Sequence, residues 1–416
     1  MQVPRNIRRL KETKVLENYS FMTVLQIFNA LISLVIYPYV IRKVGAEAYG
    51  VYVFALAIVS YFQILIDFGF DSPSAKIVVD NRQDKEKQSF ILSAVFTAKH
   101  LLLLPALAVF GIMLFAIDNI YNHLALYLAI FLQVYANILF PSWYFQGMKN
   151  MRVVTIIQIV CRLLTIPLIF ILIRTPADIT VYALIVNGGI LLGGITASIL
   201  LWHNGLKIKF ISINETIPFF KDATPFFLTG LAGKLKEGLL TTIVGLVFGM
   251  RDVAIYDLAQ KIVSIPRMFT QNINKALFPE ILSNPLPERV KKVMRYERLI
   301  GVVASILIAL LGYPAVVLLG GKDMIAAFPL AVVLSLTIYS WLVVGGYLNF
   351  VFIPQKKYYY ITQNQLVAML SSLLFCGIGL LLKQDILLVA IALTISGFME
   401  ILYCRFQTKK LNININ

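Results

Sequence analysis

Residues 325–352 read IAAFPLAVVLSLTIYSWLVVGGYLNFVF and contain no charged side chain. About 20 predominantly apolar residues are enough for a helix to cross the hydrocarbon core of a bilayer. Because backbone polar groups must be satisfied within the segment when it lies in lipid, such a run is typical of a membrane-spanning helix. Twelve runs of this kind are predicted, at residues 19–41, 50–70, 92–115, 124–146, 153–173, 180–202, 222–249, 252–281, 299–319, 325–352, 362–382 and 385–404.

The composition agrees with this interpretation. Of the 416 residues, 59% are hydrophobic and 14% are charged, whereas soluble domains hold about 45–50% apolar and about 25% charged residues. These values exclude a soluble enzyme, and the high hydrophobicity also excludes an intrinsically disordered chain. The sequence therefore predicts an all-α polytopic membrane protein with twelve transmembrane helices and a central cavity.

The basic residues indicate an orientation. Most of the 37 Lys and Arg residues lie in the short connections between apolar runs, and most of those fall on the same side as the N-terminus. Since cytoplasmic loops are enriched in Lys and Arg, both termini are predicted to be cytoplasmic. The net charge of +16 is then explained by basic residues that orient the chain in the membrane, and no nucleic-acid partner is expected.

The spans also recur at an offset of about 204 residues. Residues 44–55 align with 248–259, with Gly45, Tyr52 and Ala55 repeated as Gly249, Tyr256 and Ala259. Six helices in each half leave both halves in the same orientation, which is a parallel repeat about an axis along the membrane normal. The predicted halves are residues 1–206 and 207–416.

Charged residues inside predicted spans are the strongest indicators of function. A charge at the bilayer centre costs about 2.5–3.5 kcal/mol on insertion scales and usually faces the bundle interior or an aqueous cavity. Seven basic residues fall inside spans: Lys99, Arg162, Lys234, Lys236, Lys261, Arg267 and Lys275. Fewer acids do so: Asp67, Glu237, Asp257 and, near span ends, Glu280 and Glu400. This excess of cations predicts a positive cavity that attracts an anion.

The predicted eighth span shows the clearest polar face. Its polar residues are spaced by three or four and occupy one arc of the helix: Asp257, Gln260, Lys261, Ser264, Arg267, Gln271, Asn274 and Lys275. The candidate substrate-binding residues are Lys99, Arg162, Lys234, Lys236, Lys261, Arg267 and Gln271. Candidates for ion or proton coupling, or for gating, are Asp67, Glu237 and Asp257.

Structural alternatives exist for several of these residues. Lys261 has Asp257 four positions earlier, and Lys234 has Glu237 three positions later, so each lysine could form an ion pair within its own helix. Lys99 and Lys275 could extend their ammonium groups to the cytoplasmic face.

Three motifs resemble those of a known group. The first loop reads Arg42-Lys43-Val44-Gly45-Ala46-Glu47-Ala48-Tyr49-Gly50, the second span ends in Asp67-Phe68-Gly69-Phe70, and the fourth ends in Phe140-Pro141-Ser142-Trp143-Tyr144-Phe145-Gln146-Gly147. The chain resembles the O-antigen and polysaccharide repeat-unit flippases (Wzx-type) of the multidrug/oligosaccharidyl-lipid/polysaccharide exporter superfamily. For the aromatic and glycine residues of these motifs, interfacial anchoring and helix termination are the structural alternatives to cargo contact.

The resemblance implies a bacterial inner-membrane protein. Its cargo would be an undecaprenyl-pyrophosphate-linked oligosaccharide, moved from the cytoplasmic to the periplasmic leaflet. Membrane lipids, a polysaccharide polymerase and a chain-length regulator are the further implied partners, and no cofactor is expected. A pyrophosphate suits a cavity of Lys and Arg.

Two alternatives belong to other functional classes. A drug or cation antiporter of the same superfamily would share the layout, but it would depend on acids such as Glu237 and Asp257. A membrane glycosyltransferase, ligase or polymerase is disfavoured because the external loops are short. His100, His123 and His203 are scattered, and we find no Asp-x-Asp metal site and no nucleotide fingerprint. We therefore expect a transporter rather than an enzyme.

Overall fold

The computed structural model describes the backbone over residues 5–283 and 287–411 and the side chains over residues 17, 20–118, 120–268 and 288–411. Within these ranges every regular element is a helix. Fourteen α-helices follow one another: α1 Arg5–Asp67, α2 Asp71–Asp80, α3 Lys85–Ala116, α4 Asp118–Tyr121, α5 Leu124–Leu139, α6 Ser142–Gly147, α7 Met151–Leu172, α8 Ile179–His203, α9 Ile213–Val247, α10 Met250–Ser283, α11 Pro287–Gly320, α12 Ala327–Tyr347, α13 Tyr358–Leu382 and α14 Ile386–Lys410. The all-α prediction is confirmed.

Nine segments of the described chain are long and apolar enough to cross a membrane: Ser20–Asp80, Lys85–Ala116, Leu124–Gly147, Met151–Leu172, Pro176–His203, Glu288–Gly320, Ala327–Phe352, Tyr358–Leu382 and Ile386–Lys410. The chain is thus a multi-pass membrane protein. Helices α9 and α10 are not among the nine, and both carry charged side chains in their central turns. The count of twelve and the central cavity stay predictions.

A glycine in a left-handed conformation interrupts α1. Gly45 has φ 82°, which lies between the first two predicted spans. Its counterpart in the aligned segment, Gly249, has φ 99° and lies between α9 and α10. Only glycine adopts such φ values without strain. The local sequence match at 44–55 and 248–259 therefore has a backbone counterpart, while the repeat of whole halves stays a prediction.

The chain divides into two compact units. Unit 1 comprises Met1–Ile36 and Ile58–Gly230, and unit 2 comprises Tyr37–Ala57 and Leu231–Asn416. The boundaries of the two units do not coincide with the division at residues 206/207 that the sequence repeat predicts. The halves 1–206 and 207–416 describe that repeat and stay a prediction. A core of unit 1 gathers around Phe70, Trp143 and Leu201.

Unit 2 has its own core. It includes Met294, Tyr347, Phe352 and Ile401. The N-terminus of α14 is capped outside the apolar run by Asp385, whose carboxylate accepts a hydrogen bond from the Leu387 N–H at 3.0 Å. This bond, together with the nearby Lys383 ammonium, lowers the pKa of Asp385. The helix therefore begins on a satisfied polar group at the edge of its apolar segment.

Close helix contact in unit 1 depends on a small residue. A Cβ on Gly194 of α8 would lie 2.8 Å from the Ala136 carbonyl oxygen and 3.0 Å from Cβ of Leu139 on α5. Ser198, one turn later, donates a hydrogen bond to the Leu139 carbonyl at 2.8 Å. Small residues at such positions let two backbones approach within a membrane.

This contact predicts a difference between two glycines of the same helix. Gly194→Ala should destabilise the protein by about 1–3 kcal/mol, because the added methyl forces α5 and α8 apart. Gly188→Ala is the matched control: its Cβ meets nothing within 4 Å, and alanine favours the helix. Melting of the detergent-purified protein measures both, and equal melting temperatures for the two variants would contradict the packing account.

Candidate functional site

In unit 1, the intramembrane lysine Lys99 is buried and paired. Its Nζ lies 3.7 Å from Oδ1 of Asp67 and 4.0 Å from Oδ1 of Asp71. It also donates a hydrogen bond to Oδ1 of Asn137 at 3.4 Å. Only 3% of the Lys99 side chain is exposed. The alternative in which Lys99 reaches the membrane surface is therefore wrong.

A strained turn positions Asp67. Helix α1 ends at this residue, and the next two residues are left-handed, with φ 40° at Phe68 and 73° at Gly69. The Phe68 ring stacks on Phe227 with a centroid distance of 4.4 Å. Any Cβ on Gly69 would lie 2.6 Å from the Phe227 nitrogen. The Asp67-Phe68-Gly69-Phe70 motif is thus a tight connection that packs against α9.

In unit 2, Asp257 and Lys261 of α10 meet two tyrosines of α1. Lys261 forms the predicted ion pair with Asp257 and donates a hydrogen bond to the Tyr49 hydroxyl at 3.0 Å. That hydroxyl donates to Oδ2 of Asp257 at 3.2 Å. The Lys261 ammonium also lies 4.7 Å from the centroid of the Tyr37 ring. We call these four residues the tyrosine cluster.

The backbones beside the tyrosine cluster lie close together. A Cβ on Gly50 would overlap the Met250 carbonyl oxygen, at 1.7 Å. Glycine at position 50 therefore permits the approach of the two segments that the sequence repeat aligned. Segment 37–57 is from the predicted first half, whereas α10 is from the second, and both belong to unit 2.

A second group of polar side chains lies in unit 2. Lys236 of α9 lies 3.2 Å from Oε1 of Glu400 on α14, and Asn364 of α13 donates a hydrogen bond to Oε2 at 3.0 Å. Arg267 of α10 donates to the Thr337 hydroxyl and interacts electrostatically with Glu400 and Glu237. We call Lys236, Arg267, Asn364 and Glu400 the Glu400 cluster.

Glu400 and its amide partner were missed as candidate site residues. The sequence does carry a signal for Glu400, since it is the one acidic residue of the 385–404 run after Asp385. Asn364 has no such signal, because an amide near the start of an apolar run is unremarkable without its partner.

The sequence predicts more cations than acids inside the spans, and the described contacts show that several of these cations are paired with carboxylates. Three of the predicted cavity residues, Lys99, Lys236 and Lys261, each have a carboxylate within 4.0 Å. A charge in apolar surroundings is tolerated only when it is paired, and of these three pairs the sequence analysis offered only Lys261–Asp257. These lysines are therefore partly neutralised in the present conformation.

The other predicted site residues are placed as follows. Arg162 lies half-buried on α7 of unit 1, and Lys234 and Glu237 are exposed on α9 of unit 2. The ion pair between Lys234 and Glu237 stays a prediction. The side chains of Gln271 and Lys275 lie outside the described residues. On α10 the apolar residues Ile255, Leu258 and Ile262, which lie outside the polar arc, are buried.

The motif at the end of the fourth predicted span is structural in this conformation. Trp143 and Tyr144 are 3% and 6% exposed, so they are not interfacial anchors. Tyr144 donates a hydrogen bond to Oε1 of Gln88 at 2.8 Å, and Arg82 donates two to the Gly147 carbonyl at 2.7 and 3.2 Å. The motif thus ties α6 to the start of α3.

The described side chains offer no group of three or more His, Cys, Asp or Glu residues that could hold a metal ion. What the arrangement can do chemically is bind charge. It presents ammonium and guanidinium groups on α9 and α10, whose partners are carboxylates, the Tyr49 hydroxyl and the Thr337 hydroxyl.

Pairing of Lys99 predicts a stability pattern. Lys99→Met should destabilise the protein because it leaves Asp67 without its ammonium partner. Breaking a fully buried pair costs about 3–5 kcal/mol, and the cost here should be smaller because the Asp67 side chain is 21% exposed. Addition of Asp67→Asn should restore part of the loss, which melting in detergent measures. If Asp67→Asn lowers the stability of Lys99→Met further, the pairing account fails.

Solved structures of two transporters share this fold. A multidrug resistance MATE family transporter of the MOP superfamily, in an inward-facing conformation, superposes with a TM-score of 0.71 at 12% identity, over 94% of this chain and 96% of that one. The lipid II flippase MurJ, in its inward closed conformation, superposes with a TM-score of 0.73 at 15% identity, over 93% and 87%. At these identities the likeness is one of fold.

Similarity in sequence identifies the family. A protein of Escherichia coli (strain K12), whose name assigns it to O-antigen transport, is 27% identical over 278 residues, 67% of each chain. A Shigella dysenteriae protein with the same name is 24% identical over 254 residues, 61% of this chain and 64% of that one. Residues 15–284 match the family described as "Polysaccharide biosynthesis protein". The chain belongs to this polysaccharide biosynthesis protein family, which agrees with the Wzx-type resemblance of its motifs.

Proposed function

We propose that this protein is a flippase for an undecaprenyl-pyrophosphate-linked oligosaccharide, an O-antigen or similar repeat unit. It would carry this lipid from the cytoplasmic to the periplasmic leaflet of the bacterial inner membrane. The family match, the names of the two relatives and the flippase among the structural neighbours support the proposal.

The observation that carries the proposal is the pair of basic residues in unit 2 that lie beside neutral or exchangeable partners. Arg267 donates to the hydroxyl of Thr337, and Lys236, whose partner is Glu400, has 16% of its side chain exposed. A guanidinium matches phosphate oxygens in a bidentate geometry. The pyrophosphate would bind these groups while the prenyl tail remains in lipid.

Transport would follow alternating access of the two predicted halves. With both termini in the cytoplasm, the connection that contains Gly45 lies on the external side. The tyrosine cluster then acts as an external gate, because it fastens the first half, through Tyr37 and Tyr49, to α10 of the second.

The proposal involves no covalent step and no cofactor. Energy coupling would use the titratable candidates Asp67, Glu237 or Asp257, or the consumption of product outside. A polysaccharide polymerase and a chain-length regulator stay proposed partners.

A drug or cation antiporter is the second candidate. Its support is the MATE-like fold and the carboxylates of unit 2, Glu237, Asp257 and Glu400. The family match favours the flippase. Export of a cationic dye that is lost on Glu237→Gln or Asp257→Asn would reverse this preference.

The cargo proposal predicts the effect of removing one guanidinium. In a host that lacks its own copy and any redundant exporter, Arg267→Ala should reduce surface polysaccharide more than tenfold, because the pyrophosphate loses a charge-assisted contact inside the membrane. Arg162→Ala should act in the same direction. Quantitative staining of surface polysaccharide, normalised to membrane protein level, measures the effect.

A loop cation provides the control for this experiment. Lys383→Ala removes a lysine that is exposed between α13 and α14, and it should leave surface polysaccharide unchanged. Wild-type polysaccharide in both arginine variants would refute their assignment to the cargo.

The gate proposal predicts a local change in dynamics. Tyr49→Phe keeps the ring but removes the hydroxyl that bridges Lys261 and Asp257. Loss of such hydrogen bonds costs about 0.5–1.5 kcal/mol, so amide hydrogen exchange over residues 37–57 should become about two- to tenfold faster. Tyr313→Phe is the control, because Tyr313 is 49% exposed, and it should leave hydrogen exchange over residues 37–57 unchanged. Unchanged exchange in Tyr49→Phe would contradict the gate.

A further inference from the structure

The Glu400 cluster places a carboxylate where an anionic cargo would compete with it. The Lys236 ammonium lies 3.2 Å from Oε1 of Glu400, and the side chains are 16% and 11% exposed. Asn364, which is fully buried, donates to Oε2 at 3.0 Å. The carboxylate thus has one cationic and one neutral partner in direct contact.

The neighbours of Glu400 carry few other charges. Helices α12 and α13, which pack on α14, contain no Asp, Glu, Lys, Arg or His. Among the side chains that the structure describes, Lys236 from α9 and Arg267 from α10 are the charged groups that interact with Glu400, and Arg267 also interacts with Glu237. Cys404, one turn later on α14, donates a hydrogen bond to Asn364 at 3.4 Å and contributes no charge of its own as a thiol. The charge of Glu400 is therefore balanced by the same cations that the proposed function assigns to the cargo.

A diphosphate that binds Lys236 competes with this carboxylate, because two anions beside one ammonium repel each other in a poorly solvated site. A buried carboxylate that loses its cationic partner is unstable as an ion, and it takes up a proton instead. The amide of Asn364 can bond to either form, since it has a donor for the carboxylate and an acceptor for the carboxylic acid.

We propose that Glu400 is a resident counter-ion of Lys236 that exchanges with the diphosphate group of the cargo and is protonated when displaced. The inference rests on the proposed function for the identity of the anion. In the exchange, the Lys236–Glu400 ion pair breaks and a Lys236–phosphate ion pair forms. One proton from water then forms an O–H bond on Glu400, and it returns to water when the diphosphate leaves.

This exchange links cargo affinity to pH. Since binding takes up one proton, affinity should fall as the pH rises, by at most about tenfold per pH unit from this group. By the reciprocity of linkage, the diphosphate raises the proton affinity of the cluster by the same factor by which protonation raises the affinity for the diphosphate. Glu400 would then couple cargo binding to a proton, in addition to the titratable candidates expected from the sequence.

The test is the proton count on binding. Full-length protein in phosphatidylcholine nanodiscs is titrated with farnesyl diphosphate by calorimetry, in two buffers of different ionisation enthalpy. The wild type should take up about one proton more than Glu400→Gln, and Glu400→Gln should bind severalfold more tightly because the competing carboxylate has lost its charge. Asp385→Asn is the matched control, since Asp385 forms a surface pair with Lys383 at 3.1 Å, and its proton uptake should equal that of the wild type.

A second variant, Lys236→Gln, keeps the test decisive if Glu400→Gln does not fold. In Lys236→Gln, the acid has no ammonium to lose, so proton uptake on binding should also disappear. Equal uptake in the wild type and in whichever of the two variants folds would overturn the exchange while leaving the flippase proposal intact. Failure of the wild type to bind farnesyl diphosphate would overturn both. Proton uptake that is produced by added phosphatidylglycerol alone would assign the site to a lipid phosphate and overturn the diphosphate assignment.

Discussion

The electrostatic cost of charge in hydrocarbon governs this structure. Three lysines of the predicted spans each have a carboxylate within 4.0 Å: Lys99 has Asp67, Lys236 has Glu400 and Lys261 has Asp257. An isolated ion in that environment is strongly disfavoured, and an ion pair with further hydrogen bonds is not. The pairs Lys99–Asp67 and Lys236–Glu400 therefore join different helices, whereas Lys261–Asp257 lies within α10, and all three pairs use groups that a charged ligand can also engage.

Pairing gives the protein a way to keep cations in the membrane when no cargo is bound. In unit 2, helices α9, α10 and α14 carry the cations Lys234, Lys236, Lys261 and Arg267 and the acids Glu237, Asp257 and Glu400. These four cations and three acids nearly balance one another, so burying them in a bilayer costs less free energy than burying four unpaired cations would. On the proposed function, an incoming diphosphate would replace carboxylates rather than fill an empty positive site, and among the described residues of unit 2 the tyrosine cluster and the Glu400 cluster are places where such replacement would have structural consequences.

Much of the fold could be predicted from the sequence because the membrane restricts it. Uncharged runs such as 325–352 can only be helices in lipid, and the aligned Gly45 and Gly249 are both left-handed in the structure. Contacts across helices could not be predicted in the same way. Lys99 and Asp67 are far apart in sequence, so the sequence analysis offered no partner for Lys99, whereas the structure pairs it with Asp67. The Pro141–Gly147 stretch identified the family correctly, although its aromatic residues are buried and hold α6 in place rather than facing the membrane surface.

The central claim is that this chain alone moves a diphosphate-linked oligosaccharide across a bilayer. Its most direct test is the rate at which a fluorescent undecaprenyl-diphosphate oligosaccharide changes leaflet in proteoliposomes, followed by the loss of protection from a membrane-impermeant quencher. The account predicts that purified protein accelerates this movement well above that in protein-free liposomes, and that a neutral prenyl alcohol carrying the same sugars is not moved. Equal rates with and without protein, or equal acceleration of the neutral lipid, would contradict it.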